Sequence, residues 1–150
     1  MSHTCSNLLV HAIFSAKDRK PLIESDLRED LFAYLGGIVR EMQGKALIIN
    51  GMPDHVHMLV ELRPKVSVAE LMRVAKANSS RWIHETRPGH RGFAWQTGYA
   101  AFSVSRSNAL AVSKYIAEQE KHHRKRTFQD ELILFLKKHG IAYDERYLWD

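Results

Sequence analysis

ALIINGMPDHVHMLVEL, residues 46–62, decides how this chain folds. Two apolar runs, Ala46–Asn50 and His55–Leu62, flank Gly51–Asp54, whose glycine and proline turn a chain, so a hairpin is the expected pairing. Alternate residues of a strand point to opposite faces. In the second run Val56, Met58, Val60 and Leu62 make one face wholly apolar, while His55, His57, Leu59 and Glu61 make the other. The apolar face must receive helices. The histidine face would lie bare unless a further element covers it.

Working outward, Leu8, Val10, Ala12 and Phe14 alternate with Leu9, His11, Ile13 and Ser15, which predicts a first strand ending in the basic turn Lys17–Pro21. A helix follows from Ser25 or Asp26, with Leu27, Leu31, Leu35, Ile38, Val39 and Met42 at helical spacing and Gly44 as its stop. Beyond the hairpin, Pro64 closes the strand. Ser67 and Glu70 form an S-x-x-E capping box that starts a second helix, running to about Arg87, with an apolar stripe of Val68, Leu71, Ala75 and Trp82 and with Met72 beside it. Pro88–Gly98 is irregular, and Tyr99–Arg106 alternates as a fourth strand. Ser107 or Asn108 caps a third helix reaching about Arg124, and Thr127 caps a fourth that Gly140 ends. The order β-α-β-β-α-β plus two C-terminal helices predicts an α+β fold, a ferredoxin-like antiparallel sheet with an extension. In that topology the first and third strands are central and both crossover helices share one face. The third helix is then expected over the histidines.

The 150 residues suffice for one domain, 1–150, with a core of its own. Apolar residues make up 45% and charged residues 26%, which excludes a disordered composition. The single Cys5 excludes an intrachain disulfide and a cysteine-based zinc cluster. No apolar run reaches the roughly 18 residues of a membrane span, and the first seventeen residues have no basic n-region, so a cytoplasmic protein is expected. A net charge of +5 favours polyanionic partners.

His55 and His57 project from one side of a strand, about 6–7 Å apart along the backbone. Two neutral imidazoles at that spacing can converge on a divalent cation, completed by carboxylate or amide oxygens and water. Isolated H-x-H pairs are commonly ordinary sheet histidines. Here the core already has its own face, and His11 on the neighbouring strand is in phase with the pair. On the third helix Tyr115 and Gln119 are four apart and share a face, with Glu118 and His122 on the same broad side. A tyrosine hydroxyl near a cation can ionise and attack phosphorus, and Gln119 offers an amide oxygen as a third ligand. On its own Tyr115 reads as a half-buried packing residue; the histidines change that.

PDHVHMLV, Pro53–Val60, resembles the HUH motif of single-strand DNA nucleases, and SKYIAEQ, Ser113–Gln119, resembles the catalytic-tyrosine helix of their single-tyrosine transposases. HAIFSAKDRKPLI from His11, AKANSSRW from Ala75 and FAWQTGYAAFSVS from Phe93 follow in that family's order. The resemblance implies a metal-dependent DNA transposase that cleaves and rejoins single-stranded DNA at hairpins at element ends. It implies His55 and His57 as metal ligands, Gln119 as the polar ligand, and Tyr115 as the nucleophile that leaves a 5′-phosphotyrosine and a free 3′-hydroxyl. The cofactor would be Mg2+ or Mn2+, with no nucleotide required, and the partners DNA and a second copy in a homodimer. The glycine pair the family often carries before the tyrosine helix is replaced by Ser105, Arg106, Ser107 and Asn108. Alternatives are an HUH-type origin-nicking endonuclease, a metal-dependent phosphodiesterase of small substrates that uses water, and a non-catalytic nucleic-acid-binding ferredoxin-like domain.

DNA contacts are expected from the basic stripe of the second helix, Arg73, Lys76, Ser80, His84 and Arg87, with Ser79 and Arg81 beside it. Arg106 and, in the run KHHRKR, Lys121 and Arg124 are further candidates. Phe93, Trp95 and Tyr99 suit either base stacking or core filling.

Overall fold

Period-two patterning becomes strand where it was expected. The computed structural model describes residues 3–149. Its strands are β1 (Leu9–Ser15), β2 (Lys45–Met52), β3 (His55–Glu61) and β4 (Ala100–Val104). They form one sheet in the order β2-β3-β1-β4, every neighbouring pair antiparallel. With α1 (Ser25–Glu41) and α2 (Val68–Thr86) this is the β-α-β-β-α-β order, and β1 and β3 are central.

The hairpin is tighter than the sequence suggests. Met52 pairs with His55, so only Pro53 and Asp54 turn, and Asn50 pairs with His57. Gly51 is required by contact: a Cβ there would lie 2.2 Å from the His55 carbonyl oxygen.

Ala12 and Phe14 of β1 and Val56, Met58 and Val60 of β3 face the two crossover helices. There they meet Leu27, Leu31, Leu35, Ile38 and Val39 of α1 and Leu71, Met72, Ala75 and Ile83 of α2. The α2 stripe is therefore turned from the predicted one. Ile83 is buried, whereas Trp82 is half-buried and stacks on Tyr34 with ring centroids 4.6 Å apart. Ser67 caps α2, accepting from the Glu70 amide at 3.0 Å. Phe93 and Trp95 belong to this core, with Trp95 edge-on to Phe14 at 4.7 Å.

The expected third helix is broken. Residues Ala109–Ala117 form α3, Glu118 leaves helical geometry (φ −99°, ψ 28°), and Gln119–His123 form the short α4. Next come α5 (Phe128–Lys138), capped by Thr127 and stopped by Gly140 at φ +66°, and α6 (Glu145–Leu148). Two helical segments side by side thus cover the histidine face instead of one. The α3 and α4 helices lie against β2, where Asn50 Nδ2 donates to the Ile116 carbonyl at 2.9 Å. The α5 helix lays Phe128, Leu132 and Leu136 on Ile13 and Phe102, joined by Tyr143, Leu148 and Trp149 from the C-terminal segment.

Candidate active site

The β1–β3 register sets Ile13 opposite His57 and Ser15 opposite His55, so His11, His55 and His57 share the covered face. All three are buried. His55 Nδ1 lies 2.7 Å from Asp54 Oδ1, and His57 Nδ1 lies 2.7 Å from His11 Nε2. Both rings are therefore held by one nitrogen and present Nε2 to the same space. Such outer partners fix the tautomer and orientation of a metal-binding imidazole.

Into that space comes Glu131, from α5. Its Oε1 lies 2.8 Å from His57 Nε2, 3.4 Å from His55 Nε2 and 3.2 Å from His123 Nε2. Its Oε2 accepts hydrogen bonds from the Tyr115 hydroxyl and, at 3.4 Å, from Gln119 Nε2. Gln119 is buried, with Oε1 3.1 Å from His55 Nε2. The Tyr115 ring stands 6.2 Å from the His57 ring and stacks on His122 at 4.2 Å. The four sequence-chosen residues, His55, His57, Tyr115 and Gln119, thus meet within one chain.

Glu131, His123 and Asp54 were not chosen from sequence. A signal for Glu131 exists: it sits in the stripe of Phe128, Leu132, Phe135 and Leu136, and a carboxylate on a buried helix face needs partners. His123 stands four positions beyond Gln119, the spacing that stacks side chains on one helix face, and it reaches the site from the short α4 that follows the break at Glu118.

Burial opposes a charge on His55, but hydrogen bonds to Asp54 and Glu131 prevail and raise its pKa to about 9. Burial holds His57 below the ordinary imidazole value despite Glu131, and it holds His11 down at about 3. Burial would raise Glu131, yet the imidazoles of His123, His55 and His57 set against it take it well below the usual carboxylate range. Burial and the bond to Glu131 raise the Tyr115 phenol far above an ordinary tyrosine. The site is one coupled set of imidazoles around an ionised carboxylate.

These residues fit a divalent ion. One ligand atom from each of His55, His57, His123 and Glu131 lies within 4.8 Å of all the others. His123 Nε2 is buried 3.2 Å from Glu131 Oε1 and finds no hydrogen-bond partner among the described residues, which leaves its lone pair open to an ion. Beside the cluster a cavity of about 450 Å³ reaches the tyrosine between α3 and α5, lined among others by His11, Tyr115, Arg126, Glu131 and His139.

The proposed DNA contacts divide between two faces. The α2 residues lie across the sheet from Tyr115. Ser79 is buried, its hydroxyl accepting from Trp95 Nε1 at 3.0 Å, so it is removed from the surface. Lys76 donates to the Thr97 and Gly98 carbonyls at 3.0 and 2.8 Å, and His84 Nε2 lies 2.8 Å from the Phe93 carbonyl oxygen. Arg73 is exposed and pairs with Glu70, Arg81 is exposed, and Ser80 is partly so. Arg106 reaches Asn7 and Glu61. Lys121 and Arg124 are exposed on the tyrosine side and line one hollow with Asn50.

The chain matches the family model "Transposase IS200 like" over residues 4–119. It is 25% identical over 114 residues to the ISDra2 transposase TnpA of Deinococcus radiodurans, covering 73% of this chain and 81% of that one. Against the transposase for insertion sequence element IS200 of Salmonella typhimurium it is 28% identical over 125 residues, covering 79% and 81%. Two solved structures share the fold. A candidate transposase from Deinococcus radiodurans R1 superposes with TM-score 0.62 at 22% identity, over 79% of this chain and 95% of that one. A REP-associated tyrosine transposase bound to a REP hairpin superposes with TM-score 0.58 at 13% identity, over 82% and 74%.

Proposed function

Since the chain belongs to the IS200-like transposase family and is a DNA transposase, we propose that it cuts and rejoins single-stranded DNA with Tyr115 as the nucleophile. The observation that carries this reading is the Tyr115 hydroxyl hydrogen-bonded to a carboxylate that also lies against His55 and His57. No packing role calls for that arrangement, because a buried charged network is costly unless each member is satisfied.

In this reading Tyr115 Oη gives its proton to Glu131 Oε2 and bonds to a backbone phosphorus. The bond from phosphorus to the 3′-oxygen breaks, and that oxygen takes a proton from solvent. The products are a 5′-phosphotyrosine and a free 3′-hydroxyl. Attack on the phosphotyrosine by another 3′-hydroxyl reverses the step and joins strands without a nucleotide cofactor. His55, His57 and Gln119 would hold a divalent ion, which supplies positive charge to a non-bridging phosphate oxygen. His11 and Asp54 keep the two imidazoles aimed, and the cavity between α3 and α5 gives a phosphate a way to the half-buried phenol.

In this reading the DNA is a single strand that folds into a hairpin; the REP-associated relative is bound to a REP hairpin. Lys121 and Arg124 neutralise phosphates on the tyrosine side, and Arg73, Arg81 and Arg106 offer further positive charge. One tyrosine makes one covalent link at a time, so joining two ends takes a homodimer, each copy carrying its own His55, His57 and Tyr115.

The experiment is incubation of the full chain with end-labelled hairpin oligonucleotides and a divalent ion, resolved on a denaturing gel. A labelled protein–DNA adduct present for the natural chain and absent for Tyr115→Phe is the expected result. Adduct formation by Tyr115→Phe at the natural rate would overturn the assignment.

A further inference from the structure

Two donors at the site lie outside the set of His55, His57 and Gln119. His123 comes from α4 and Glu131 from α5, and each points a ligand atom at the two strand imidazoles. We propose that His123 and Glu131 complete the ion's ligand set, and that three imidazoles with one carboxylate make the site select a zinc-type transition dication over Mg2+. This rests on the metal-assisted reading above and deepens it.

Four observations support it. First, ligand atoms about 2.1 Å from a four-coordinate ion lie about 3.4 Å from one another. Glu131 Oε1 is 2.8, 3.2 and 3.4 Å from the three Nε2 atoms, an arrangement that small shifts turn into such a shell. Second, the far nitrogens of His55 and His57 are already engaged by Asp54 and His11, leaving Nε2 directed inward on both. Third, the His123 side chain is only 8% exposed, and its buried Nε2, 3.2 Å from Glu131 Oε1, finds no hydrogen-bond partner among the described residues. Such an atom costs stability unless something binds it. Fourth, the carboxylate spans two tasks. Oε1 faces the imidazoles while Oε2 holds the Tyr115 hydroxyl, so one residue ties the ligand shell to the nucleophile.

The selectivity follows from donor chemistry. Mg2+ favours oxygen ligands in octahedral geometry and keeps several waters, for which three imidazoles are a poor substitute. Imidazole nitrogen suits zinc and its neighbours, and nitrogen affinity rises along the first transition row from manganese. Gln119, with its amide oxygen 3.1 Å from His55 Nε2, would then stand outside the four-donor shell, beside the position a phosphate oxygen would take.

The test is calorimetric titration of the EDTA-stripped full chain with ZnCl2 and, separately, MgCl2, together with thermal melts with and without zinc. One zinc per chain is expected, bound at least about 100-fold more tightly than magnesium. His123→Gln and Glu131→Gln should each weaken zinc by about tenfold or more and shrink the zinc-dependent rise in Tm. Glu131→Asp, which keeps the carboxylate, should recover part of the loss. If zinc binds both Gln variants as it binds the natural chain, while His57→Gln abolishes binding, the ion rests on the strand pair alone and the inference fails, with the parent reading intact. If neither metal binds the natural chain, the metal-assisted reading itself falls. Should Glu131→Gln fail to fold by far-ultraviolet circular dichroism, His123→Gln at the end of α4 decides the question.

Discussion

The Tyr115 hydroxyl donates a hydrogen bond to the Glu131 carboxylate, joining α3 to α5 across 16 residues of chain. The bond has two consequences. It keeps the phenol protonated in the resting molecule, because burial and a neighbouring negative charge both oppose a phenolate. It also places a proton acceptor where the proton must go. Removing either partner therefore affects both the resting structure and the chemistry, in distinguishable ways.

Tyr115→Phe should abolish covalent attachment, a loss of at least about 10³-fold. Binding of the same oligonucleotide should remain within about threefold of the natural chain. Gel-shift titration beside the adduct gel checks both.

Glu131→Gln should slow adduct formation by about 10²–10⁴-fold, the range set by loss of a positioned base. Single-turnover measurement at saturating DNA separates that loss from weaker binding. An unchanged rate would mean that the phenol's proton leaves by another route.

In chain stripped of divalent ions, His55 makes stability depend on pH. Its folded pKa, raised to about 9, lies above the unfolded imidazole value near 6.5. The contribution is therefore fully present below about pH 6.5 and is lost as pH rises through about 9. The change is of order 3 kcal/mol. Urea unfolding at pH 6 and pH 9.5 measures it, and His55→Gln should remove most of the difference.

Ser79→Ala should cost about 1 kcal/mol by leaving the partly buried Trp95 N–H without its acceptor. It should leave DNA affinity unchanged, since the hydroxyl is fully enclosed. Lys121→Ala and Arg124→Ala should behave oppositely. Stability should hold, while the slope of log affinity against log salt falls by about 0.7 for each charge lost on single-stranded DNA.

Gly51→Ala should destabilise the hairpin by about 1–3 kcal/mol, because a Cβ 2.2 Å from the His55 carbonyl forces the two strands apart. The same shift moves His55 away from Asp54. Zinc titration should show weaker binding together with the lowered Tm.

The alternation of His55-Val-His57-Met between two apolar runs settled much in advance. A strand has a period of two, so both imidazoles had to share a face, and Val56, Met58 and Val60 had to pack on the helices whatever followed. The pairing of β1 with β3 likewise followed from the element order, which brought His11 to the same side. The α2 stripe was harder to place. Its predicted line through Trp82 is displaced onto Ser79 and Ile83 because Tyr34 offers Trp82 a half-exposed stacking partner. The break at Glu118 had no marker at all, since neither glycine nor proline stands there.

What the amino-acid order determined by itself was local and periodic: strands, helices, which residues shared a face, and a tyrosine on one helix with two histidines on one strand. What the tertiary structure decided was which late helix delivers the charge those histidines require. Glu131 arrives because α5 buries Phe128, Leu132 and Leu136 against Ile13 and Phe102, and His123 arrives on the short α4 that follows the break at Glu118. Burying apolar surface is non-directional, so sequence periodicity can show that such a helix must dock without showing where. The chemistry waits on that docking.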